Sequence, residues 1–218
     1  FGSSNFARPA RVSPPRSLSM ADAGGEAAAA AANGDSHTNG DAAAPMVSRA
    51  RQVLEPIRLR AKVIHGFGRG SKVLGFPTAN MEVKWDLEST PEALQPHESD
   101  ILKFARDCQT GIYYAWAQVV DGKDRGVYKA AMSVGWNPTF TDVKAKTIEP
   151  WFLHDFADDF YDCEVKLVIC GYVRPELKFD KLDDLVEAIR QDGEFCAQAL
   201  DAEPAAALAK DAFFAAEE

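Results

Sequence analysis

The 218-residue sequence contains no CxxC pair, and none of its four histidines stands at zinc-ligand spacing from its four cysteines, at 108, 163, 170 and 196. That excludes the common structural zinc modules and predicts reduced thiols in an intracellular protein. No apolar run approaches the ~20 residues of a membrane-spanning helix, so a soluble protein is expected. Basic residues are in deficit, 24 against 33 acidic, for a net charge of −9. A general binder of nucleic acid or anionic membrane needs the opposite balance. No internal repeat is visible. The first fifty residues lack any sustained apolar pattern, and AAAAAANGDSHTNGDAAAP has no large apolar side chain. Such a stretch buries too little surface to offset its ordering entropy, so residues 1–50 are read as a disordered tail ahead of one folded domain, 51–218. Residues 1–19 carry three arginines and no acid. That composition has transit-peptide character, although Met20 is equally readable as the start. The expected location is cytoplasmic, or mitochondrial or otherwise organellar if residues 1–19 are a targeting segment.

What the sequence does have from Arg51 onward is a series of short strands. IRLRAKVIH sets Ile57, Leu59, Ala61 and Val63 against Arg58, Arg60 and Lys62, the period of a half-buried strand. GIYYAWAQVVDG and VYKAAMSVGW read as a hairpin turned at Asp121-Gly122. TIEPWFL and CEVKLVICGYV bring the total to five or six strands. Helical signals come late. Asp180 is in place to cap a helix presenting Leu182, Leu185, Val186 and Ile189, and a second, Ala-rich helix is expected from near Pro204. Met81 to Cys108 shows no clear period and is read as an insertion with one helical turn near Ile101. Strands followed by helices predict an all-β fold, a small antiparallel barrel or sandwich with C-terminal α-helices.

The most unusual stretch is GFGRGSKVLGFPTAN, Gly66 to Asn80. A Walker A loop beginning at Gly66 would need glycine where Ser71 stands, and so would a kinase-type G-x-G-x-x-G loop. Glycines at 66, 68 and 70 nevertheless let backbone N–H groups approach an anion, with Arg69 and Lys72 adding positive charge. Thr78 and Asn80, two residues apart, place a hydroxyl and an amide on one side of an extended segment, a donor set suited to a hard cation. The residues therefore read either as a phosphate loop leading into a metal-holding segment or as a plain glycine-rich connection.

GFGRGSKVLGFPTAN, TGIYYAWA, SVGWNPTF, TIEPWFLHDFADDFYD and GYVRPELKFDKLDDLVEAI occur in the order in which they occur in the riboflavin kinase family. Over about residues 57–200 the chain resembles that family, specifically its single-function eukaryotic type. The resemblance implies a six-stranded Greek-key β-barrel with a C-terminal helix, acting as a monomer on riboflavin and ATP to give FMN and ADP. It implies Gly66, Lys72, Phe152, His154 and Tyr161 at the ATP site, and Thr78 and Asn80 as ligands of magnesium, with zinc or manganese as alternatives. Glu149 corresponds to the catalytic carboxylate, and Arg174, Leu177 and Phe179 to the flavin site. No nucleic acid or membrane partner is implied. With only the tail ahead of Arg51, FMN and not FAD is the expected product.

Three departures accompany the likeness. Pro150 and Trp151 follow Glu149 where the family often has Thr and His, Leu177 replaces a lysine, and the 81–108 segment is long. Proline at 150 requires an edge or bulged strand. Plainer readings exist for several of these residues. Glu149 is also readable as a solvent-edge carboxylate, His154 as a half-exposed partner of Asp155, and Phe179 as a staple ahead of the helix. Asp155, Asp158, Asp159 and Asp162 do not have EF-hand spacing and read as a solvated turn. The contending functions are a flavin- or nucleotide-binding barrel that transfers nothing, and a small barrel for single-stranded nucleic acid, which the acidic balance opposes.

Overall fold

The computed structural model describes residues 47–66, 74–136 and 145–215. In chain order they form β1 (Gln52–Ile64), β2 (Asn80–Met81), α1 (Pro96–Asp107), β3 (Gly111–Val119), β4 (Val127–Trp136), β5 (Lys146–Phe152), β6 (Glu164–Arg174) and α2 (Leu182–Asp201). All strand pairs are antiparallel, in the order β2-β1-β6-β3-β4-β5. The last strand in sequence thus lies between the first and third, a Greek-key crossing. The Ala79 N–H donates to the Pro150 carbonyl at 2.9 Å, which brings the two ends of this order together into a nearly closed barrel.

Period-two alternation accounts for the strands. Leu59, Ala61 and Val63 of β1 are buried while Arg58 and Lys62 are exposed, as expected from the sequence. They meet Met132, Ile148, Leu167 and Ile169 in the barrel interior. Each fully buried large apolar side chain of this kind stabilises the fold by ~1.5–3 kcal/mol. β3 and β4 pair from Gly111↔Val134 to Gln118↔Val127. The predicted hairpin is therefore present, but it closes through residues 120–126 and not through a tight Asp-Gly turn. Asp124 organises that loop, accepting from the Gly126 N–H and the Tyr128 hydroxyl.

The segment read as an insertion is structural. Its centre is a three-turn helix, α1, where a single turn was expected. Pro96 opens α1, the Gln95 N–H donates to Glu98, and Lys84 pairs with the same carboxylate. Ile101 and Ala105 enter the barrel core, and Phe104 meets Tyr113 edge-on. Buried Lys146 donates to the Arg106 carbonyl at the end of α1 (3.1 Å), where cations offset the helix dipole. The helix escaped sequence reading because it buries only Ile101, Leu102 and Ala105, too few residues to set up a clear period.

The outer face of β3, β4 and β6 carries a second apolar layer, in which Trp116, Val168 and Cys170 pack with Cys196 and Leu200 of α2. Two expectations about α2 need correction. Its N-cap is Lys181, not Asp180, with no side-chain cap bond. Its buried face is Ala188, Asp192, Gly193, Cys196, Ala199 and Leu200, while Leu182 is largely exposed. Small residues win this face because the sheet supplies the bulk, through Trp116 and Trp151. Beyond Pro204 the chain forms two 3-10 helices, Ala205–Lys210 and Ala212–Phe214, in place of an α-helix. They stay on the barrel through Trp116, whose indole N–H donates to the Ala205 carbonyl, and through the Arg58–Asp211 ion pair.

Candidate active site

Alternation along β5 decides which way its residues face. Ile148, Pro150 and Phe152 are buried, while Thr147, Glu149 and Trp151 occupy the other, half-buried face. Glu149 stands opposite Ser133 of β4, beside the seam where the barrel closes. Across that seam the Thr78 hydroxyl donates to Glu149 Oε2 at 3.5 Å, the long limit of a hydrogen bond, joining residues 71 apart in sequence. Pro150 does not weaken the strand. A strand residue directs its N–H and C=O to the same side, and the Pro150 carbonyl already faces Ala79, so the missing N–H falls on the seam and not on the β4 ladder.

Asn80 opens β2 and pairs with Ile64 of β1. Gly66 lies against its side chain so closely that a Cβ at 66 would sit 2.3 Å from the Asn80 amide nitrogen. No other residue type fits at 66 without moving Asn80. Lys72 and Arg69 fall outside the described residues. His65, which precedes Gly66, stacks on Tyr161 with centroids 3.9 Å apart.

His154 is held on three sides. Its ring lies parallel to Tyr128 (3.7 Å, 8°), meets Phe156 edge-on, and bonds Asp124 Oδ2 through Nε2 at 3.0 Å. Its partner is therefore Asp124, not the neighbouring Asp155. The Tyr128 hydroxyl and the Gly126 N–H, then His154, hold the Asp124 carboxyl below the usual aspartate range. The Phe152 ring turns into the barrel against Phe156 and Phe160, with Phe156 standing between it and His154. What it can offer toward this side is backbone. Of the acidic run, Asp158 pairs with exposed Lys123 and Asp162 adopts a left-handed turn (φ 62°). Among the described residues no three His, Cys, Asp or Glu side chains gather as a metal cluster.

At the opposite end of the barrel, Arg174 closes β6 as a buried cation. Its Nε donates to both Asp192 oxygens (3.0 and 3.2 Å) and its Nη1 to the Pro175 carbonyl (2.8 Å). In the loop that follows, Leu177 is exposed and Phe179 half-buried. Glu176 lies against Gly135 of β4, 2.5 Å from where a Cβ there would stand. Trp151 ties this region to β5, with Phe76 edge-on at 5.0 Å on one side and Gly193 of α2 on the other. A Cβ at Gly193 would approach the indole to 2.4 Å, so glycine is what lets α2 pass this close.

The structure thus brings Glu149 to Thr78 and Gly66 to Asn80, while His154 and Tyr161 stand on the loop between β5 and β6, toward the β1 exit. Asp124, Asp192, Trp151 and Phe76 were not singled out from the sequence as site residues. Asp192 did leave a signal, an acid spaced four residues from both Ala188 and Cys196 on a helix face that is otherwise small and apolar. Asp124 left none, since its partners come from separate loops.

A small barrel with a carboxylate and a hydroxyl in contact across its seam, next to a glycine loop, has the layout of a group-transfer enzyme. The comparisons agree. The riboflavin kinase family model matches residues 53–200. The riboflavin kinase of Mus musculus is 40% identical over 159 residues, covering 73% of this chain and 90% of that protein. A bifunctional riboflavin kinase/FMN phosphatase of Arabidopsis thaliana is 45% identical over 148 residues, but the chain spans only 34% of its length. The crystal structure of riboflavin kinase from Trypanosoma brucei superposes with a TM-score of 0.54 at 31% identity, covering 76% of this chain and 92% of that one. The chain belongs to the riboflavin kinase family. Among the described residues no helix is long and apolar enough to cross a membrane.

Proposed function

We propose that this chain transfers the γ-phosphate of ATP to the 5′-hydroxyl of riboflavin, giving FMN and ADP, with Glu149 as the base that accepts the hydroxyl proton. The observation that carries the assignment is the Thr78–Glu149 contact across the seam, which sets a proton acceptor next to a segment of neutral oxygen donors. Phosphoryl transfer asks mainly for positioning and charge neutralisation. A half-buried carboxylate on a strand meets the first need, because its backbone is fixed by the β4 ladder.

The donor set fits a divalent cation of the magnesium type. Thr78 offers a hydroxyl and Asn80 an amide oxygen, and magnesium keeps waters and shares phosphate oxygens instead of demanding a full protein cage. When bound, the cation supplies neutralisation of phosphate charge. Gly66 holds room for Asn80, and the His65–Tyr161 stack anchors the base of the glycine loop, to which Lys72 would add its charge. His154 is oriented by Asp124 and Tyr128 toward the same end, and Phe152 supports that loop from within the barrel. Leu177 and Phe179 would offer the isoalloxazine apolar surface, with Arg174 fixing the root of that loop.

A binding module without catalysis rested on Pro150 and Trp151. Pro150 costs the ladder nothing and Trp151 packs without displacing Glu149, so that reading is not favoured. The test is direct: full-length protein, ATP, MgCl2 and riboflavin, with flavins separated by chromatography. FMN without FAD is expected, and the absence of FMN at saturating substrates would sink the proposal.

A further inference from the structure

We infer that Arg49, which precedes the family-matched span, is a positioning residue for the acceptor half of the site, acting through Asp192 on Arg174 and the loop after it. The inference rests on the proposed placement of riboflavin beside Leu177 and Phe179.

Residues 47–50, assigned by composition to the tail, dock on the barrel. The Ala50 N–H donates to the Val173 carbonyl at 3.1 Å, so the chain enters β1 alongside the end of β6. This turns Arg49 onto α2. Its Nε donates to Asp192 Oδ1 (2.7 Å), Nη1 to Gln191 Oε1 (3.0 Å) and Nη2 to the Ala188 carbonyl (3.0 Å). The side chains of Arg49 and Asp192 are 10% and 5% exposed. Asp192 is thus clamped between two guanidinium groups from opposite ends of the chain, and the second belongs to Arg174, whose Nη1 holds the Pro175 carbonyl.

The consequence is mechanical. α2 lies on the sheet through small residues, Ala188 and Gly193 among them, and its first residue, Leu182, is 60% exposed. Little apolar burial therefore fixes the N-terminal half of the helix. The carboxylate does so instead, and it needs both cations. Arg174 alone reaches both Asp192 oxygens; Arg49 adds a second donor to Oδ1 from the entering chain, so the carboxylate is held from two directions, Arg174 keeps one rotamer and Pro175 one position. Without it, α2 loses its tie to the entering chain and Asp192 follows Arg174 freely. The acceptor loop then samples positions in which Leu177 and Phe179 no longer face the flavin together. The nucleotide end shares none of these groups, so the effect is confined to riboflavin.

The experiment uses the full chain and measures riboflavin Kd by flavin fluorescence, KM for ATP, kcat, and Tm. Arg49→Met, which fills a similar volume without charge, is expected to raise riboflavin Kd about ten- to a hundredfold while leaving the KM for ATP unchanged. Arg49→Lys, which can reach Asp192 with one donor but lacks the fork, is expected to fall between the two. Phe179→Ala is the control for the flavin placement. If Phe179→Ala weakens riboflavin and Arg49→Met does not, the inference is overturned while the flavin placement stands. If Phe179→Ala leaves riboflavin Kd unchanged, the flavin placement fails, and the inference with it. A loss shared equally between riboflavin and ATP, or no difference between the Lys and Met variants, would reduce Arg49 to a structural residue and overturn the proposal. If Arg49→Met does not fold, Arg49→Lys against wild type decides alone by the same split.

Discussion

The two ends of the barrel that meet at Glu149 are held by different kinds of interaction. At the end where β1 leads into the glycine loop, the contacts are half-exposed: His65 on Tyr161, His154 between Asp124 and Tyr128, Lys123 with Asp158 at 89% and 61% side-chain exposure. Exposed ion pairs of this type contribute only ~0–1 kcal/mol each. At the other end Arg174 and Asp192 are each 5% exposed and mutually bonded. A buried pair adds little net stability but is costly to break, by ~3–5 kcal/mol when one partner is removed. The proposed nucleotide end is thus built from contacts that can open individually, and the proposed acceptor end from a cluster that holds or fails as a unit. That division suits a reaction in which a charged co-substrate must enter and leave while the acceptor hydroxyl is held to a fixed base.

The comparison can be broken at its midpoint. Glu149→Gln should lower kcat by about 10²–10⁴-fold, the range for loss of a general base, with riboflavin and ATP binding retained. Equal loss of kcat and of binding would show Glu149 to be structural. Next in size is the contrast in stability between the two ends. Asp192→Ala should destabilise the fold by ~3–5 kcal/mol in urea denaturation, whereas Asp124→Ala, at the exposed end, should leave the urea midpoint nearly unchanged. Similar values for both would erase the distinction. Gly66→Ala should leave stability nearly unchanged but raise the Mg²⁺ concentration for half-maximal activity by about 10–100-fold, because the new Cβ displaces Asn80.

The smallest effects are in titration. Asp124 has a lowered pKa in the folded protein, caused first by the Tyr128 hydroxyl. Its contribution is therefore complete above the ordinary aspartate value and is lost as pH falls through the lower folded value. An acid titration followed by Tyr128 near-UV dichroism should show this step in the wild type and not in Asp124→Asn. At the opposite pole, burial pushes the Cys170 thiol up to about 12 and raises Cys196 as well. A thiol reagent at pH 8 should spare both until the protein is unfolded.

Much of the wall of this barrel was legible. Alternation in IRLRAKVIH gave the correct buried face of β1, and the β3–β4 hairpin followed from two β-branched and aromatic runs. The helices were less legible. α1 was reduced to a turn because its buried face is short, and the face of α2 was drawn through Leu182, Leu185, Val186 and Ile189 because hydrophobicity marks bulk. The sheet wanted small residues and an acid there. For the site, Thr78 and Asn80 stood out by their oxygen donors in an extended segment, and Glu149 by motif likeness. The Asp124–His154 and Asp192–Arg49 partnerships were not foreseen.

The sequence by itself determined the strand faces and the oxygen donors of PTAN, because each depends on neighbouring residues, and the family likeness, because ordered motifs need no contact between them to be read. Only the tertiary structure decided that Thr78 reaches Glu149, that Phe152 faces inward, that Pro150 sits harmlessly on the seam, and that Arg49 and Arg174 share Asp192. The reason is closure. These contacts span 71, 143 and 18 residues. Their partners are chosen by strand register, barrel seam and helix docking, none of which leaves a local period in the chain.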